Sequence, residues 1–192
     1  YLSGPEYYLL NFRHSYLWVH FFKRSIFSEN GLLFHPNIKM QDGEIMPKIL
    51  MHCKKVHFYN NKLIKYRYRP NSAVNNQNES ARAHFYYSIV TVMIKIKELR
   101  VSLNSNSMMN KALILKEKQL NQMLFTNLIN NNYSEETNRF FVALLLKHKL
   151  LPLQKITGFT PLMNLKFNVV RYILNFNPHF GRKLHKKVFG SF

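Results

Sequence analysis

Asp42 is the only aspartate in the 192-residue chain, and it lies beside Gly43 and Glu44 at the start of a helix-like run. A carboxylate can act as a general base, which takes a proton from a reacting hydroxyl group. Acids are also common in the first turn of a helix, because they interact favourably with the positive end of its dipole. Taken alone, the pair therefore predicts either a catalytic base or an ordinary helix start.

Other catalytic motifs are missing from the sequence. It contains no glycine-rich phosphate loop, no GxSxG nucleophile elbow and no HExxH zinc motif. His52 and Cys53 are neighbours, so they point to different sides of a helix and do not form a catalytic pair. Cys53 is the single cysteine, which excludes an internal disulfide and a multi-thiol zinc site and indicates an intracellular or redox-indifferent chain.

The composition indicates a globular, strongly basic protein. Hydrophobic residues make up 46% of the chain, whereas 28 lysines and arginines against nine acids give a net charge of +19. Ten of these cations and no acid lie between Thr137 and Phe192. Clustered cations favour polyanions, which here are nucleic acid or an anionic membrane surface. The longest apolar runs are too short to cross a bilayer, which takes about 20 residues.

Residues 1–80 are predicted to contain both helices and strands. A short helix is expected at 4–12, a strand passing into a short helix at 15–27, and a turn with Gly31 in the left-handed region. A helix follows Asp42, and two strands are expected at 55–60 and 62–69, joined by an Asn60-Asn61 turn.

Residues 81–192 are predicted to be mainly helical. Two apolar stripes at helical spacing predict two long helices; they are Phe85, Ile89, Val92, Met93, Ile96 and Leu99, and Met109, Leu113, Leu120, Leu124 and Leu128. Ser134 and Thr160 are predicted helix starts. The last helix places Leu162, Leu165, Val169, Ile173 and Phe176 on one face. The fold class expected is therefore α+β, with domains at 1–80 and 81–192.

Five motifs in order resemble the acceptor half of family 2 glycosyltransferases, which are inverting enzymes with the GT-A fold. The resemblance covers residues 2–75. The motifs are "SGPEYYLL" at 3–10, "LWVHFFKR" at 17–24, "ENGLLF" at 29–34, "QDGE" at 41–44, and "KKV" at 54–56 with "YRYRPNS" at 66–72. The fold implied is a partial GT-A acceptor half of short strands and helices, followed by a helical basic extension.

The resemblance assigns the general base to Asp42, which would take the proton of the acceptor hydroxyl as that oxygen attacks the anomeric carbon. Glu44 is expected either to orient the acceptor or to complement the helix dipole. Trp18 is expected either to stack on a sugar ring or to lie in the core. Arg67 and Arg69 are expected either to meet the diphosphate or to lie on an exposed edge strand.

Two departures limit the resemblance. Gln41 stands where the family usually has Glu, and a chain with one aspartate has no D-x-D metal motif. The chain begins at Tyr1, so we expect the nucleotide-sugar half to precede it in a longer parent. That parent would use Mg²⁺ or Mn²⁺ and a nucleotide-sugar, whereas this chain alone is expected to bind neither, to have no metal ligands and to be inactive.

The function expected is transfer of a sugar to a glycan or lipid-linked acceptor in bacterial surface polysaccharide synthesis. The basic tail at 178–192, with Arg182, Lys183, Lys186 and Lys187, is expected to bind an anionic membrane, which predicts a cytoplasmic protein peripheral to the inner face of the cell membrane. The alternatives are a nucleic-acid-binding module, which the charge and the interleaved aromatic residues permit, and a non-catalytic interaction module.

Overall fold

The computed structural model describes residues 1–67, 78–130 and 133–177. Their helices are α1 (Gly4–Asn11), a 3₁₀ turn (Leu17–Val19), α2 (Arg24–Glu29), α3 (Gln41–Met51), α4 (Glu79–Val101), α5 (Met108–Asn130), α6 (Glu135–Lys147) and α7 (Pro161–Phe176). The chain divides into two compact units, Tyr1–Gln119 and Leu120–Phe192. None of the described helices is both long and apolar enough to cross a bilayer.

The predicted α+β class, with a GT-A acceptor half of short strands, is wrong. The described residues form no sheet, and their only β pairing is an antiparallel bridge between Leu2 and Val56. Residues 57–67 have no regular secondary structure, while 68 and 69 lie outside the described residues. β-Branched and aromatic residues suit a pleated, half-buried surface, but they do not supply the neighbouring strand that a sheet needs. Phe58 and Tyr66 of these segments are exposed instead.

α1 is fixed at its start. Ser3 and Glu6 form a capping box, in which the Ser3 hydroxyl accepts from the Glu6 N–H and the Glu6 carboxylate accepts from the Ser3 N–H. The Gly4 N–H donates to the Cys53 carbonyl at 2.8 Å. A Cβ at position 4 would lie 1.9 Å from the Leu50 carbonyl oxygen, so glycine is required where α1 meets the end of α3.

The core of the first unit is built mainly on α3 and α4, which pack together. Its buried apolar side chains include Ile45, Met46, Ile49 and Leu50 of α3 and Ile89, Val92, Met93 and Ile96 of α4. The stripe predicted for α4 is therefore largely confirmed. The turn before α3 is as predicted, with Gly31 at φ +58°.

The second unit contains the C-terminal part of α5 together with α6 and α7. The predicted helix starts are confirmed, since Ser134 Oγ accepts from the Thr137 N–H and Thr160 Oγ1 accepts from the Met163 N–H. Phe125 and Phe167 meet edge to face in the core, with ring centroids 5.6 Å apart.

Four asparagines hold the irregular segment between α6 and α7. In each case the side-chain amide bonds twice to one residue of that segment: its oxygen accepts from the backbone N–H, and its NH₂ donates to the backbone C=O. We call these pairs the asparagine clamps; they are Asn121 with Gln154, Asn164 with Phe159, Asn168 with Ile156, and Asn175 with Leu153, at 2.6–3.2 Å. Each amide satisfies a backbone group that would otherwise need a strand partner or water.

Candidate active site

Asp42 lies in the first turn of α3 and is half-buried. Its Oδ1 accepts from the Gly43 N–H at 2.8 Å, and no described residue donates to its Oδ2. Burial raises the pKa of this carboxyl group, and the Gly43 hydrogen bond and the charge of Lys116 partly oppose that rise. The site thus contains a half-buried carboxylate whose pKa is raised by burial.

Lys116 is the cation whose charge lowers the pKa of Asp42, and the sequence prediction missed it. Its side chain, on α5, is only 2% exposed. Nζ donates to the Phe12 carbonyl at 3.1 Å, to Ser15 Oγ at 3.3 Å and to Gln119 Oε1 at 3.0 Å. Burial lowers the pKa of Lys116 to about 8, and the charge of Asp42 opposes that shift.

A signal for Lys116 was present in the sequence. On a helix, position 116 falls between Leu113 and Leu120 along the apolar stripe predicted for α5. A lysine at such a position is either a defect in the stripe or a buried cation. The three oxygen acceptors around Nζ show that Lys116 is a buried cation.

Glu44 does not share a site with Asp42. Residues two apart on a helix are separated by about 200° around its axis. Glu44 is buried on the side of α3 that faces α4, where its Oε1 pairs with Lys48 and its Oε2 has no hydrogen-bond partner among the described residues. It lines an open cleft of about 310 Å³, together with Leu33, His35, Lys48, Lys95, Glu98 and Leu99.

Gln41 has a clear local role in this structure. Its Nε2 donates to the His35 carbonyl at 3.0 Å, which ties the start of α3 to the preceding turn. The family that the sequence resembles usually has glutamate at this position, but an ionised glutamate has no hydrogen to donate and could not make this bond. The departure from the family pattern is thus matched by the local hydrogen bonding.

Three aromatic side chains form a surface that we call the aromatic platform. Trp18 stacks on Tyr66 with ring centroids 5.5 Å apart and 26° between the ring planes, and it meets Tyr16 at 5.7 Å. Trp18 is 46% exposed, so the expectation that it lies in the core is wrong. Arg67 follows Tyr66 and is exposed, whereas Arg69 and Ser72 lie outside the described residues.

The turn that carries Trp18 is fixed by His20. Because the Tyr16 carbonyl can only accept, His20 Nδ1 carries the hydrogen and donates to it at 2.7 Å. His20 Nε2 then accepts from the Tyr7 hydroxyl at 2.8 Å. Ser15, the residue before Tyr16, accepts from Lys116, so the platform and the Lys116 site are linked through one short stretch of chain.

The described residues do not fit a divalent metal ion. Nowhere in 1–67, 78–130 or 133–177 do three His, Cys, Asp or Glu side chains come together. We therefore assign no side chain of this chain to Mg²⁺ or Mn²⁺. Comparison of the chain with protein-family models, with curated proteins and with solved structures finds no match.

Proposed function

We propose that the chain is part of an inverting glycosyltransferase that moves a sugar from a nucleotide-sugar to a glycan or lipid-linked acceptor in bacterial surface polysaccharide synthesis. Asp42 is the general base. The observation that carries the proposal is the half-buried Asp42 carboxylate, with Oδ1 held by the Gly43 N–H and the buried Lys116 ammonium close enough to affect its pKa.

In the proposed step, Asp42 Oδ2 takes the proton of the acceptor hydroxyl. The acceptor oxygen forms a bond to the anomeric carbon while the bond to the nucleotide diphosphate breaks, and the diphosphate leaves with the electron pair. Burial raises the pKa of the carboxyl group and so makes the carboxylate a stronger base, and the charge of Lys116 partly opposes that rise.

The aromatic platform supports the same function. Exposed aromatic faces bind the apolar face of a sugar ring, and Trp18 with Tyr66 provides such a surface. The exposed guanidinium of Arg67 suits a diphosphate. Glu44 lies on the other side of α3, which favours a role in stabilising that helix over contact with the acceptor at Asp42.

The test compares two carboxylate-to-amide substitutions in the complete protein that the gene encodes. Asp42→Asn should lower sugar transfer by at least about 100-fold, since a general base contributes about 10²–10⁴-fold. Glu44→Gln is the matched control and should retain transfer within about tenfold. Nucleotide-sugar binding, measured by calorimetry, should change in neither variant. If Asp42→Asn keeps transfer within tenfold of the wild type, Asp42 is not the base.

Nucleic-acid binding is a second candidate, favoured by the basic segment 54–67. It exposes Phe58, Tyr59 and Tyr66 among five cations and carries no acid. Bases stack on exposed aromatic rings and phosphates pair with cations. Anisotropy titration with a single-stranded RNA separates the candidates. Two results together would favour nucleic-acid binding. The protein should bind the RNA with a submicromolar, salt-dependent Kd that Phe58→Ala weakens, and Asp42→Asn should cause no loss of sugar transfer.

A further inference from the structure

α7 carries an apolar stripe that the fold leaves uncovered. We call it the exposed stripe; it comprises Leu162, Leu165, Val169, Tyr172 and Phe176. Steps of three and four residues place these side chains on one face of the helix. Their exposed fractions run from 49% for Val169 to 89% for Phe176.

The core of the second unit uses a different face of the same helix. Phe167, Val170 and Leu174 are buried there, and the Phe167 ring also meets Phe159 with centroids 5.0 Å apart. α7 therefore has two apolar faces. One of them is sufficient for the core, so the other has no role in packing the described residues of this unit.

The asparagine clamps prevent α7 from turning the exposed stripe inward. Asn164, Asn168 and Asn175 bind the backbone of the segment before the helix through a third, polar face, and Arg171 adds a bond from Nη1 to the Leu153 carbonyl at 2.9 Å. Rotation would break these bonds and leave buried backbone groups unpaired, which is costly. The position of the stripe is thus set by the clamps.

We propose that the exposed stripe docks on the surface of an anionic lipid membrane, with α7 lying along that surface. The proposal goes beyond the sugar transfer proposed above and does not depend on it. Leucine and phenylalanine enter the acyl region, and Tyr172 suits the headgroup boundary. α7 carries no acid, and the chain has ten lysines and arginines and no acid between Thr137 and Phe192, so the charge of this part of the sequence complements an anionic leaflet.

A second copy of the chain is a poorer partner for the stripe. The spacing is that of a coiled-coil seam, in which opposite charges beside the seam stabilise pairing. Here Lys166 lies beside it and no acid is available on α7 to meet it. Asn168 and Asn175, the other polar side chains beside the seam, are already engaged in clamps.

The experiment measures sedimentation of the complete protein with vesicles of phosphatidylcholine alone and of phosphatidylcholine with phosphatidylglycerol in equal parts. The double variant Leu165→Asn with Tyr172→Asn removes the middle of the stripe. Its matched control is Phe140→Asn with Leu146→Asn, which changes two exposed apolar residues on α6. The anionic vesicles should retain the wild type and the control equally, and partitioning of the stripe variant should fall at least about tenfold.

A second measurement, of tryptophan fluorescence, does not depend on whether the vesicles retain the protein during sedimentation. Tyr172→Trp should show fluorescence quenching by lipids brominated on their acyl chains, beyond that of the wild type, which has no tryptophan on α7. Equal retention of the stripe variant and its control would overturn the proposal, as would quenching no greater than in the wild type. A wild-type dimer in light scattering that the stripe variant converts to a monomer, with vesicle retention unchanged, would assign the stripe to a second copy.

Discussion

α3 and α7 are both amphipathic in sequence, yet they differ in how much of their surface is buried. α3 buries nearly all of its length, including the carboxylate of Glu44 and half of Asp42, whereas α7 buries three apolar side chains and exposes five others. Burying a carboxylate costs free energy unless it is paired, and exposing leucines forgoes the free energy of their burial. Glu44 is paired with Lys48, whereas the apolar stripe of α7 stays exposed, so α7 is the helix that departs from the most stable arrangement. The comparison teaches that an apolar pattern predicts a helix but not the face that the core will cover.

The largest expected effect is on stability, when the same substitution is made in the two helices. Leu50 of α3 is 1% exposed and Leu165 of α7 is 64% exposed. Leu50→Ala should lower the free energy of unfolding by about 2–5 kcal/mol, because it removes buried contacts and leaves a cavity. Leu165→Ala should change it by less than about 0.5 kcal/mol. Urea unfolding followed by circular dichroism measures both, and similar losses would show that α7 buries its stripe in solution.

A smaller effect concerns the dependence of stability on pH near Lys116. The pKa of this lysine is lowered from 10.5 to about 8, so between those values the unfolded chain binds a proton that the folded chain has released. Stability should therefore rise with pH across that window, by on the order of 3 kcal/mol. This gain in stability should be lost as the pH falls through about 8.

The control for this pH dependence is a pair of lysine-to-methionine variants on α5. The raised pKa values of Tyr7 and Cys53 also affect stability at alkaline pH. Subtracting the stability-versus-pH profile of Lys116→Met from that of the wild type removes their contribution and leaves that of Lys116. Lys118→Met, at an exposed position two residues away, should keep the wild-type slope. A flat difference between wild type and Lys116→Met would contradict the burial of the ammonium group.

The smallest expected effect is on the pH profile of the proposed sugar transfer. Lys116 lowers the pKa of Asp42, so Lys116→Met should move the acid limb of the kcat/KM profile to higher pH. Lys118→Met should leave that limb in place. A change in overall rate without movement of the limb would mean that Lys116 supports the fold alone and does not influence the base.

The helices from Glu79 to Phe176 could be predicted from the sequence because their signals are local. Ser134 and Thr160 cap the helices that follow them, and the α4 stripe is the one that is buried. The strands at 55–60 and 62–69 could not be judged in this way, because a strand depends on a partner from elsewhere in the chain. The position of Asp42 at the start of α3 was predicted, whereas the effect of the Lys116 charge on its pKa depends on how α5 packs.

The asparagine clamps also affect how readily these asparagines are deamidated. An asparagine side chain hydrolyses to aspartate when the backbone nitrogen of the next residue attacks its carbonyl carbon, and the carboxylate formed could no longer donate to a backbone carbonyl. At each clamp the amide is held by hydrogen bonds to the segment between α6 and α7. The residues that follow are Gln122, Leu165, Val169 and Phe176, each bulkier than glycine and set within a helix. The hydrogen bonds that hold the segment therefore also protect the amides from the reaction that would destroy them.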